Sequence, residues 1–117
     1  MAGGRRPAKN FAAEYPGWPD IKAAEVDDVD DRRLLIFVHR LRAAVRDFED
    51  RGWLTSHRDL ARRIGTGHAT ILRVLRGDMW PTAETISKLE TTLERELWPR
   101  QISGAPDTRP NSLDRFL

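Results

Sequence analysis

The chain has 117 residues, 39% of them hydrophobic, and a formal charge of +2, the size of one domain with a small core and solvated extensions. It holds no cysteine, which excludes disulfides and thiolate zinc sites, and no run approaches the roughly 18 apolar residues of a membrane span. The positive charge is almost all arginine, 17 Arg against 3 Lys, and the planar guanidinium fork suits phosphates and guanine edges.

Residues 1–29 read as an N-terminal extension, partly disordered. Pro7, Pro16, Pro19 and the early glycines do not build a core. Arg5, Arg6 and Lys9 fit either a solvated leader or a basic arm that follows a DNA groove, as homeodomain arms do. Phe11, Tyr15, Trp18 and Ile21 are too many large apolar groups for a fully solvated tail. Part of residues 11–21 is therefore expected to pack on the domain or on a second subunit. Asp27, Asp28, Asp30 and Asp31 lack the Gly and distal Glu of a calcium loop. They read instead as the acidic start of a helix, with one of them as its cap.

A folded domain is expected over 30–99. Its first helix runs from about Asp30 to Asp50, with Leu34, Phe37 or Val38, Leu41, Val45 and Phe48 on the apolar side and Arg33, Arg40, Arg46 and Asp47 opposite. Gly52 ends it, and Trp53 and Leu54 are expected to cover the core.

Ser56 to Gly77, SHRDLARRIGTGHATILRVLRG, reads as two short helices around a glycine turn. Ser56 is an N-cap, and Asp59 three residues later approximates a capping box. Leu60, Ala61 and Ile64 form one apolar stripe, and Ile71, Val74 and Leu75 form the next. Gly65 and Gly77 stand where each helix needs a left-handed residue to finish. Between Arg62 and Gly77 there are four arginines and no acid, the sign of charge a phosphate-facing surface needs. After Pro81 or Thr82 a fourth helix is expected, with Ile86, Leu89, Leu93 and Leu97 as its stripe and Trp98-Pro99 as its end, either continuous or broken near Thr91-Thr92 into two pieces. Four Glu against two basic residues between Thr82 and Trp98 would turn that segment away from a nucleic acid. Residues 100–117 read as a C-terminal tail, in which Leu113, Phe116 and Leu117 form either a frayed end or a hydrophobic hook.

The pattern L-A-x-x-I-G-x-G-H-A-T-I-x-R-V-L-x-G, followed by W-P-T, resembles the Cro/C1-type (XRE, lambda-repressor-like) helix-turn-helix DNA-binding family. The likeness covers roughly Arg32 to Trp98 and rests on Leu60, Ala61, Gly65, Ile71, Leu75, Gly77 and Pro81. It implies an all-α fold: a compact four- or five-helix domain that places the helix from about His68 to Arg76 in the major groove. That family usually carries Gln after the helix-2 cap, and often at the head of the recognition helix. This chain has His57 and His68 there, so contact positions carry over but base preference does not.

The resemblance implies base contacts from His68, Ala69, Thr70, Leu72 and Arg73, with the N-terminal residues entering first. Ala69 and Leu72 suit a thymine methyl, and Arg73 suits either a bidentate guanine contact or a phosphate. Ser56, His57, Arg58, Arg62, Arg76 and Trp80 are candidates for the DNA backbone. The expected partner is double-stranded DNA, bound by a homodimer on an inverted repeat. No cofactor, metal or membrane partner is expected, and the expected compartment is the cytoplasm. The function expected is a transcriptional regulator, with repression as the default and phage or mobile-element control as the setting the resemblance implies. The competing reading is an antitoxin-like or adaptor module that uses this domain on DNA and a tail on a protein partner. Catalysis is not expected: there are three histidines on three helices, no glycine-rich phosphate loop, and neither H-E-x-x-H nor G-x-S-x-G.

Overall fold

The structure, a computed structural model, describes residues 10–100. Five helices and one 3-10 turn follow in order: α1 (Phe11–Glu14), η1 (Ala23–Glu25), α2 (Val29–Asp50), α3 (His57–Ile64), α4 (His68–Arg76) and α5 (Ala83–Leu93), with no strand among the described residues. Asp28 starts α2: its carboxylate accepts from the Asp31 amide at 2.9 Å, and Asp30 and Asp31 follow in the first turn. The acidic cluster is thus helix-capping chemistry. Asp31 in turn accepts from the Tyr15 hydroxyl at 2.7 Å.

α2 is the axis of the core. Leu34, Leu35, Phe37, Val38, Leu41, Ala44, Val45 and Phe48 are all buried along it. α4 and α5 pack on it, and α3 packs on α4 and α5. The recognition-helix candidate is therefore wedged between α2 and α3 through Ile71, Val74 and Leu75. Burying each such side chain is worth roughly 1.5–3 kcal/mol relative to leaving it in water.

Two expectations from the sequence are corrected. The fourth helix stops at Leu93 instead of Trp98. Glu94 takes a left-handed conformation at φ 54°, and both its amide and that of Arg95 turn back to the Glu90 carbonyl. The chain then folds over Glu90, whose carboxylate accepts from the Leu97 amide at 2.7 Å and the Trp98 amide at 3.1 Å. Leu97 is fully buried, as its place in the stripe demanded, but from outside the helix. Trp53 does not cover the core. It is 51% exposed, with its ring edge-on to Phe48 and the Arg51 guanidinium above it, and only Leu54 beside it is buried.

The segment before α2 is packed against the helices. Asn10 caps α1 through the Ala13 amide, and Phe11, Trp18 and Val26 join the core. Phe11 stacks on Trp18 with ring centroids 4.7 Å apart. Phe11 also meets Trp80 edge-on at 6.2 Å, Trp80 lies 6.5 Å from Trp98, and Trp98 lies 5.6 Å from Phe37. This aromatic row ties the N-terminal segment, the α4–α5 loop, the chain after α5 and α2 together. Pairs of this kind add about 0.5–1.5 kcal/mol each beyond the area they bury.

Candidate nucleic-acid interface

The local signals of α3 and α4 act as their residue types require. Ser56 Oγ accepts from the Asp59 amide at 3.1 Å, and Asp59 Oδ2 accepts from the Thr55 amide at 3.1 Å. This is a capping box displaced by one residue, because the shorter Asp reaches the amide before the cap instead of the cap's own. Asp59 is buried and also takes charged hydrogen bonds from Arg62 and Arg63, the latter with Nη2 3.0 Å from Oδ2. The Thr55 amide first, then Arg63 and Arg62, hold its carboxyl down at about 2. Gly65 ends α3 at φ 74° and Gly77 ends α4 at φ 70°, the left-handed geometry in which a side chain is disfavoured.

α4 presents Ala69, Arg73 and Arg76 to solvent, while His68, Thr70 and Leu72 flank them half-buried. On α3, Arg58 and Arg62 are exposed, and Ser56 and His57 are half-buried at its start. Among the described residues, Arg58, Arg73 and Arg76 make no side-chain hydrogen bond or ion pair. Arg62 is committed to Asp59. A cation without an internal partner is available to a phosphate or a base edge. One already paired must give up part of a hydrogen bond first.

A groove of about 340 Å³ runs between α2, α3 and α4. His57, Leu72 and Arg76 line it from one side, and Arg42, Arg46 and Glu49 from the other. Arg46 is exposed and unpaired among the described residues, on the side of α2 opposite its apolar stripe. No local signal could have placed it at this groove, because its approach to His57 is made by the packing of α2 on α4. Trp80, a candidate for the DNA backbone, is half-buried in the aromatic row. Arg5, Arg6 and Lys9 lie outside the described residues. His39 does not belong to this face; its Nε2 is 2.8 Å from the Pro19 carbonyl. Among the described residues no group of three His, Cys, Asp or Glu stands close enough to hold a metal ion.

A helix-turn-helix family model matches residues 54–97, from the buried Leu54 to the buried Leu97. Over these residues the chain matches the Cro/C1-type helix-turn-helix. No curated protein and no solved structure matches the chain. Within this helix-turn-helix, α3 and α4 are the paired helices, α5 closes the matched segment, and the all-helical arrangement is lambda-repressor-like. The domain is that of a DNA-binding regulator. No helix among the described residues is long and apolar enough to cross a membrane. The matched segment excludes α2 and everything before it, although α2 supplies the floor on which α4 lies.

Proposed function

We propose that this protein is a sequence-specific regulator of transcription that binds double-stranded DNA and acts as a repressor, with α4 in the major groove. The observation that carries the reading is the state of the arginines. Arg73 and Arg76 stand on the solvent face of α4, and Arg58 stands near the start of α3, all without an internal partner among the described residues. Arginines without an internal counter-charge, presented on a helix-turn-helix, match a phosphate backbone and a base edge.

The roles follow from position along α4. His68, Ala69 and Thr70 occupy its first turn and meet base edges. Leu72 takes an apolar contact, and Arg73 reads a guanine. His57, Arg58, Arg76 and the Ser56 region hold phosphates, joined by Arg46 across the groove. Arg62 contributes less than Arg58, because Asp59 already engages it. One domain of this size spans a single half-site, so the protein acts as a homodimer on an inverted repeat. A domain seated in the groove blocks a promoter by occupancy, which makes repression the simplest mode. The compartment is the one that holds the DNA, the cytoplasm in a cell without a nucleus. Phe11 and Trp18, which a protein-adaptor reading would offer to a partner, are buried in this chain's own core.

Selection of bound sequences from a random DNA pool at moderate salt tests the reading. An enriched inverted repeat is expected. Binding that responds to salt but enriches no sequence would contradict it.

A further inference from the structure

The C-terminal end of α4 is held by two side chains from outside the matched helix-turn-helix. Trp18 Nε1 donates to the Gly77 carbonyl at 3.0 Å in a buried contact, and Arg42 Nε donates to the Leu75 carbonyl at 2.7 Å. The last carbonyls of a helix have no intrahelical donor, so these two bonds satisfy groups the helix cannot satisfy itself. Both donors are themselves fixed. Arg42 Nη1 is paired to Asp20 at 3.0 Å. Trp18 stacks on Phe11 and meets the tilted Tyr15 ring, and the Pro19 carbonyl beside it is met by His39 of α2. Space around the contact is minimal. A Cβ placed on Gly77 would stand 2.8 Å from Trp18 Nε1.

We infer that residues 11–20 form a strap whose Trp18, together with Arg42, sets the position of the recognition helix, so that base discrimination depends on residues that touch no base. The inference rests on the reading of α4 as the groove-entering helix. Ile71, Val74 and Leu75 press α4 onto α2 and α3, but apolar contacts are not directional and leave its slide along its own axis weakly fixed. Two hydrogen bonds to the terminal carbonyls are directional and act along that axis. Arg73, two residues before the Leu75 carbonyl, then sits at a defined height in the groove. Trp18 and Arg42 are positioning residues here.

Trp18→Phe keeps an aromatic ring and removes the donor without changing charge. Two readouts are taken on the full chain, well below its melting temperature. Amide hydrogen exchange on the free protein is expected to quicken about tenfold at Gly77, Asp78 and the last turn of α4, the equivalent of one buried hydrogen bond, while α3 keeps its protection. Binding to random DNA is expected to keep its affinity and salt slope, while preference for the selected sequence over random DNA falls by about tenfold. Loss of stability alone would lower both affinities together and leave their ratio unchanged.

Unchanged exchange at the end of α4, or unchanged preference for the selected sequence, would overturn the inference. If the wild-type chain selects no sequence, the groove reading fails. The exchange experiment still decides whether the strap holds α4. Should Trp18→Phe fail to fold, Arg42→Met, which keeps the aliphatic stem, is expected to quicken exchange at the same amides, and its failure to do so would overturn the inference.

Discussion

Arginines of the same type differ here in what surrounds them, and that difference sets what each can do. Arg73 is exposed at the middle of α4 with no internal partner among the described residues, and Arg58 is equally bare on α3. A base-reading arginine and a phosphate-binding arginine fail differently when removed. Arg73→Ala is expected to cost about 1–3 kcal/mol on the selected site and to relax preference at one base pair. Arg58→Ala is expected to weaken all sequences alike and to lower the slope of log affinity against log salt by about 1. Titrations at three salt concentrations on selected and random duplexes separate the two. A uniform loss from Arg73→Ala would reassign it to the backbone. The buried and solvent faces of α4 were legible in the sequence because they differ in composition. Arg46 was not legible, since only the packed helices bring it to His57.

At the scale of elements, the turns carry the most specific local signals. Gly65 and Gly77 both sit at positive φ, yet their surroundings differ. Nothing lies within 4 Å of a Cβ built on Gly65, whereas one on Gly77 meets Trp18 and Val38. Gly65→Ala is expected to cost about 1–2 kcal/mol, the backbone strain alone. Gly77→Ala adds displacement of the Trp18 ring and should cost clearly more in urea denaturation with an unchanged m-value. Equal losses would mean that Trp18 yields freely. Glu90 governs the chain after α5. The Arg100 guanidinium first, then the Leu97 and Trp98 amides, hold its carboxyl at about 2, below its ordinary 4.5. The folded state therefore favours the charged form. Its contribution is complete above about 4.5 and disappears as pH falls toward about 2. Glu90→Gln should be less stable than wild type at pH 7, with the difference shrinking through that window. A pH-independent difference would contradict this account.

The same local logic explains where reading the sequence stopped. Caps, terminal glycines and three-to-four-residue stripes are short-range, so α2, α3 and α4 could be placed from residues a few positions apart. Leu97 kept the helical rhythm because it is buried, not because it is helical, and a stripe cannot tell those apart. Trp53 is large and aromatic but stands in water, held by Phe48 and Arg51. Trp18 reaches a carbonyl 59 residues away, and no local pattern encodes such a contact.

Over the whole molecule the charge is nearly balanced but unevenly placed. Arg58, Arg73 and Arg76 stand exposed on α3 and α4, Arg62 and Arg63 line a depression against α5, and α5, with exposed Glu84 and the following Glu94 and Glu96, packs on α2 and α3. A net charge of +2 is thus compatible with exposed arginines on both α3 and α4. Specificity across a genome needs more than one half-site, and sedimentation of the protein on a selected duplex is expected to show two chains per duplex. One chain per full inverted repeat would refute the dimer.

The most direct test of the central claim, that α4 reads the major groove, is dimethyl sulfate protection on a selected duplex. That reagent methylates guanine N7 in the major groove and adenine N3 in the minor groove. Wild-type protein is expected to protect guanine N7 within each half-site, and Arg73→Ala to restore reactivity at one guanine. Protection confined to adenine N3, or guanine reactivity unchanged by a saturating amount of protein, would contradict the account.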